Sequence, residues 1–253
     1  MLAGYGHLLR AADRLAWDES ELDLTGDAEA WPKLPKYLRV PLSRLIAGFC
    51  VAEGAVADHL EPFEASSDDP DLRACFAAQA EDERRHARFF TRVAGEVLGI
   101  DPAGEARELA GDGVMELFEQ TLPARARDLA EGRCDLAQAV TLYHLVLEGV
   151  VFNVGQTAAL ELLDQAATLP VTRQGLQHVQ ADERWHVGLG VRCLQDAPPS
   201  EQDLEATLKT AAAAAKSWQT DAIGPGRVAA VVEQHRRRLA QAGRGVPASA
   251  SAP

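Results

Sequence analysis

Glu81-Asp82-Glu83-Arg84-Arg85-His86 and Ala181-Asp182-Glu183-Arg184-Trp185-His186 are two copies of one pattern, Asp-Glu-x-x-His, set 100 residues apart. Residues three apart on a helix share a face, so Glu83 with His86, and Glu183 with His186, can each converge on one point. A further glutamate precedes each copy. Glu53 lies 30 residues before Glu83, Glu148 lies 35 before Glu183, and both sit among apolar neighbours. The chain therefore reads as two helix pairs, each offering Glu and then Glu-x-x-His.

The surrounding residues agree with helices. Of 253 residues 47% are apolar and 25% charged, with Ile46, Ile100 and Ile223 the only isoleucines; alanine, leucine, glutamate and arginine lose little rotamer freedom in a helix. Leu8 to Trp17 is a short amphipathic stretch. A first long helix is predicted from Pro41 to Leu60, with Pro at N1 and a break at Pro62. A second starts at Asp69-Pro70-Asp71 and runs to about Leu98, stopping at Gly99. A connecting helix spans about Val114 to Leu129, bent at Pro123. The third core helix covers Asp135 to Leu163, and the fourth Val171 to Leu194, ending before Pro198-Pro199. Two more helices are predicted near Glu201 to Thr220 and Arg227 to Ala242. Gly243 to Pro253 reads as a disordered tail after a single domain spanning residues 1–242. No strand is predicted.

Four helices packed together bring four carboxylates and two imidazoles into one interior. Such a cluster is prohibitive alone, and two divalent ions neutralise it. This ligand set is that of ferritin-like dinuclear carboxylate proteins. The expected fold is thus all-α, a ferritin-like four-helix bundle with additional flanking helices. Oxygen ligands with few imidazoles suit iron and manganese better than copper or a thiolate zinc centre. Asp82 and Asp182 read either as acceptors for the ligand imidazoles or as solvated helix carboxylates. His144, four residues before Glu148, faces the same way and is open to two roles, an added ligand or a core histidine. Trp17 and Trp31, ahead of the metal helices, are either electron relays or packing residues.

Other classes are disfavoured. A net charge of −13 argues against nucleic acid, which needs a basic face. Cys50, Cys75, Cys134 and Cys193 form no C-x-x-C and read as reduced thiols of a cytoplasmic protein. The apolar run Leu136 to Leu160 carries Gln138, His144, Glu148, Asn153 and Gln156, so a core helix is expected and membrane insertion is not.

Val51-Ala52-Glu53-Gly54-Ala55-Val56, Glu61-Pro62-Phe63, Glu83-Arg84-Arg85-His86-Ala87-Arg88-Phe89-Phe90, Tyr143-His144-Leu145-Val146-Leu147-Glu148-Gly149-Val150 and Asp182-Glu183-Arg184-Trp185-His186 resemble the ligand-binding oxidases. These are relatives of the ribonucleotide reductase small subunit, and the likeness covers roughly residues 40 to 195. The resemblance implies a homodimer and two metal ions, manganese with iron or two irons, that activate dioxygen for a two-electron oxidation. It also implies a long-chain fatty acid as apolar ligand. Its six metal ligands fall on Glu53, Glu83, His86, Glu148, Glu183 and His186, and its tyrosine–valine ether cross-link on Tyr143 and Val56. Val56 follows Glu53 by three residues, on the ligand face. Tyr143 precedes Glu148 by five, about 140° away on a regular helix, and reaches the centre by its length or through a π-bulge. Three alternatives stay open on the same bundle. One is an N-oxygenase or hydroxylase of a small metabolite. Another is a non-catalytic fatty-acid-binding metalloprotein. The third is a radical-generating reductase subunit, against which stands Phe90 where that subunit commonly has a tyrosine.

Overall fold

The computed structural model of the protein describes residues 4–195 and 200–243. Its helices run α1 (Tyr5–Leu15), α2 (Thr25–Ala30), α3 (Lys36–His59), α4 (Glu61–Ala65), α5 (Pro70–Arg92), α6 (Glu105–Ala110), α7 (Asp112–Glu116), α8 (Leu122–Ala130), α9 (Leu136–Val140), α10 (Asn153–Ala166), α11 (Pro170–Cys193), α12 (Glu201–Ala214) and α13 (Pro225–Gly243). No strand occurs among the described residues. π-helical turns over Thr141–Phe152 join α9 and α10 into one continuous rod. That rod, α3, α5 and α11 form the ferritin-like bundle, and the other helices flank it.

Local chemistry explains the starts and stops. Asp69 accepts from the N–H groups of Asp71 and Leu72 at the head of α5. A capping box joins Asp135 and Gln138 at the head of α9, satisfying donors that a helix leaves free in its first turn. The second core helix ends as expected at Gly99, whose φ of 69° is the left-handed conformation glycine tolerates best. α11 has no cap of its own. Asp27 on α2 supplies it from a distance, accepting from Thr172 N–H at 2.6 Å.

Two boundaries differ from expectation. α3 begins at Lys36 rather than Pro41, leaving Pro41 inside the helix. A proline there removes one intrahelical bond, which is tolerable because Tyr37 and Val40 are exposed, at 71% and 46%, so water can reach the freed carbonyl. The connecting helix begins at Asp112, and π-helical turns at Leu117–Thr121 lead directly into Pro123. The Pro198-Pro199 stop and the tail from residue 244 onward lie outside the described residues.

Lys36–Ala65 and Leu136–Ala166 are both long and apolar enough to cross a membrane, but 72% of the apolar window in the second is buried against protein. The 3₁₀ turn after α12 delivers Trp218, whose indole N–H donates to the Val151 carbonyl at 2.8 Å. That bond serves a backbone group inside the π-helical stretch.

Close packing of α11 on this stretch needs a small residue. A Cβ placed on Gly190 would stand 2.2 Å from His144 Cβ, an overlap that only helix displacement relieves. Gly190→Ala is expected to destabilise the protein by about 1–3 kcal/mol, the usual cost of overpacking. Urea denaturation reads this directly, and a change within about 0.5 kcal/mol, the usual range for surface substitutions, would refute the close approach.

Candidate metal centre

Each bundle element delivers its predicted side chains to one buried place. α3 brings Glu53, α5 brings Glu83 and His86, the π-helical stretch brings Glu148, and α11 brings Glu183 and His186; all six are buried. Their ligand atoms form two overlapping groups, Glu53, Glu83, His86 and Glu183 in one, and Glu83, Glu148 and His186 in the other. Within each group the atoms lie within 4.8 Å of one another. Glu83 belongs to both, as a bridging carboxylate must.

The histidines are oriented from outside. His86 Nε2 lies 3.0 Å from Asp182, and His186 Nε2 lies 3.2 Å from Asp82. A carboxylate only accepts, so each imidazole carries an N–H on Nε2 and turns Nδ1 inward, the atom a metal ion would engage in place of a proton. The pairing is crossed, the aspartate beside each Glu-x-x-His serving the histidine of the other. Arg85 ties both aspartates together, at 2.5 Å to Asp82 and 3.0 Å to Asp182. Trp185 donates to Asp82 at 3.0 Å and Trp17 to Asp182 at 2.9 Å. Of the two early tryptophans, Trp17 thus joins the network around the imidazoles, while Trp31 is buried in the hydrophobic core.

Facing inward, both oxygens of Glu53, Nδ1 of His86 and His186, and one oxygen each of Glu148 and Glu183 are buried without a hydrogen-bond partner. Unsatisfied buried polar atoms are costly and rare, and six of them converging is what a cation-binding site requires. The titration behaviour agrees. Burial pushes the Glu53 and Glu183 carboxyls up, and burial with the Glu183 charge pushes Glu148 up to about 8. Glu83 goes the other way, because His186 and His86 outweigh its burial. Both imidazoles are raised well above their ordinary value, since hydrogen bonds to Asp182 for His86, and the Glu83 charge for His186, overcome burial.

A second ring of polar groups adjoins these. Tyr143 donates to Glu83 at 2.8 Å, and the π-helical stretch accounts for its reach. Gln79, one turn before Glu83, donates to Glu148 at 2.8 Å and to the Tyr143 hydroxyl at 3.1 Å. His144 Nε2 lies 3.1 Å from the Gln79 oxygen, and burial lowers its pKa to about 3, so it is a neutral donor to the amide. It stands in neither ligand group. Gln156 donates to Glu183 at 3.1 Å. Gln79 is absent from the sequence reading and Arg85 has no role in it beyond the quoted motif; their signal was placement four residues before and two after Glu83. Val56 is buried three residues after Glu53.

The family model "Ribonucleotide reductase, small chain" matches residues 6–235. Among solved structures, a variant of an R2-like ligand-binding oxidase with an anaerobically reconstituted Mn/Fe cofactor matches with a TM-score of 0.80, over 97% of this chain and 94% of that one, at 17% identity. Another variant, with an aerobically reconstituted Fe/Fe cofactor, matches with a TM-score of 0.76, over 95% and 93%, at 18% identity. At such identity the likeness is one of fold.

Two outcomes follow from the geometry. Without metal, Glu53, Glu148 and Glu183 hold protons that the unfolded chain has lost, so stability is full below 4.5 and falls as pH rises toward about 8. The raised histidines act in the same direction, and the lowered Glu83 acts only below 4.5. A divalent metal displaces those protons. Its effect on the melting temperature should be larger at pH 8 than at pH about 5.5, and equal shifts would count against the buried cluster as the binding place. Asp82→Asn should weaken metal affinity about 10–100-fold, the usual cost of losing a ligand's orienting partner; unchanged affinity by competition titration would remove Asp82 from that role.

Proposed function

The chain belongs to the ribonucleotide reductase small-chain family, and from that premise we propose a dinuclear metal oxidase in which Glu53, Glu83, His86, Glu148, Glu183 and His186 hold manganese with iron or two irons. The observation that carries this reading is the set of inward-facing orphan atoms, above all the two Nδ1 atoms oriented by Asp182 and Asp82. When bound, the metals supply dioxygen activation and redox equivalents for a two-electron oxidation.

The protein's share is positioning and proton control. Glu83, common to both ligand groups, would be shared between the two ions, and it accepts the Tyr143 hydroxyl hydrogen bond. Gln79 holds Glu148 and the phenol in one plane of contact. Trp17, hydrogen-bonded to Asp182 and through it to His86, is the natural inlet for reducing electrons from the surface. The alternative of a radical-bearing subunit is disfavoured by Phe90, buried and stacked on Phe49 at 4.9 Å between centroids. It offers no hydroxyl at that position. The phenol of this centre is Tyr143.

Tyr143 and Val56 are accordingly the pair for an ether cross-link. Joining the Tyr143 oxygen to a Val56 side-chain carbon would remove one hydrogen from each, a two-electron oxidation for which metals held by the six ligands would supply the oxidising power with dioxygen as acceptor. A homodimer and a cytoplasmic setting complete the proposal.

Protein loaded anaerobically and then exposed to air should yield a linked peptide pair about two mass units lighter than its parts, the mass of the two hydrogens removed. Tyr143→Phe should abolish it with metal content intact; separate wild-type peptides under both iron and mixed-metal loading would end the cross-link claim. Glu148→Ala should lose at least one metal ion by elemental analysis, and full retention would overturn the ligand assignment.

A further inference from the structure

A cavity of about 220 Å³ reaches the centre, with Glu148 and Glu183 in its wall and Tyr143 not among its lining residues. Its other walls are polar. Gln156 comes from α10, Arg184 from α11, and Gln234 and Arg238 from α13. The C-terminal helix thus contributes directly to the surroundings of the metal-ligand carboxylates, and Arg238 lies beyond the 6–235 span matched by the family.

Several arginines near the bundle are paired with carboxylates, and these two are not. Arg85, Arg88, Arg92 and Arg227 each have a carboxylate partner. Among the described residues, no ion pair engages Arg184 or Arg238, and the second is half-buried. Burial first, and the charge of the exposed Arg184 second, lower the Arg238 pKa. Like charges held together at a partly enclosed polar cavity form a natural seat for an oxyanion, because forked N–H donors match carboxylate and phosphate oxygens.

Size and lining then select the ligand. The cavity is smaller than the usual range of ligand pockets, about 300–1,000 Å³. A long alkyl chain laid against Gln156 and Gln234 would strip water from their amides and return no hydrogen bond. Resting on the oxidase reading above, we propose that the centre's ligand is a small organic anion, its oxyanion group held by Arg184 and Arg238 and its remaining end directed toward Glu148 and Glu183. This replaces the long-chain fatty acid implied by the resemblance.

The test is calorimetric binding to manganese-loaded protein kept anaerobic, with metal content measured on the same samples. The probes are benzoate, phenyl phosphate, neutral benzamide and palmitate. At least one of benzoate and phenyl phosphate should bind about tenfold or more tightly than benzamide, as expected when a charge-assisted bond is lost, and the tighter of the two identifies the head group. Arg238→Gln and Arg184→Gln should each weaken that binding about tenfold, with metal content and melting temperature unchanged. Palmitate should bind no tighter than benzoate. Tighter palmitate binding that survives both substitutions, or small anions indifferent to them, overturns the inference. Protein that takes up no metal overturns the oxidase reading instead, so the two failures are distinguishable.

Discussion

Each imidazole at the centre is held by an aspartate from the opposite helix pair, and this crossed pairing sets the direction of every group around it. With Nε2 committed to Asp182 or Asp82, Nδ1 has only the interior to face. There it meets carboxylates, 3.3 Å from Glu83 for His86 and 3.1 Å from Glu83 for His186. The aspartates can serve as fixed acceptors because Arg85 donates to both, Trp17 to Asp182 and Trp185 to Asp82. Buried carboxylates without such donors would take up protons, and the imidazoles would lose their orientation. One arginine and two indoles outside the ligand shell therefore determine what the six inner residues can bind.

The second constraint is the π-helical stretch. On a regular helix Tyr143 and Glu148 point about 140° apart; an i→i+5 pattern lets both face α5, where Gln79 touches each. The irregular backbone is braced from outside. Trp218 donates to the Val151 carbonyl, and its ring packs so closely on Gly48 and Gly155 that any Cβ there would overlap it. His235 on α13 similarly lies against Gly149, next to Glu148. The flanking helices thus stabilise a backbone shape that the four bundle helices alone would not select.

What the sequence made legible follows from which relations are local. Glu83 with His86 is a three-residue relation on one helix, and its repetition at Glu183 and His186 needed no tertiary information. The bundle and the family likeness could be read from the same residues. The crossed aspartates were visible only as candidates, since the pairing of Asp82 with His186 joins residues 104 apart. Gln79 looked like any polar helix residue until Glu148 and Tyr143 were placed beside it. Asp27 capping α11 and Arg238 entering the cavity are likewise contacts between a flank and the bundle, and no spacing rule announces them. The π-helical stretch lay in between: the Tyr143-to-Glu148 spacing called for length or an irregular turn, and the structure contains the turn.

The centre is asymmetric in its access to water, and that asymmetry separates two kinds of chemistry. On the Tyr143 side, Phe63 stands 5.7 Å from the phenol and Phe76 stands 6.0 Å from His144, centroid to centroid, with Tyr143 and His144 both buried. Burial and the Glu148 charge hold the phenol pKa well above its ordinary value, so its proton stays on until an acceptor takes it together with an electron. Glu83 is the acceptor in contact. On that dry side the available reactants are the protein's own groups. On the other side, Gln156, Gln234 and the two arginines line a cavity that admits water and small solutes to Glu148 and Glu183. Excluding solvent strengthens electrostatic interactions on the first side, while Arg184 and Arg238 would favour an anion at the second. A single pair of bound metals would thus face a sealed partner within the protein and an exchangeable one from solution, each confined to its own face by the residues that line it.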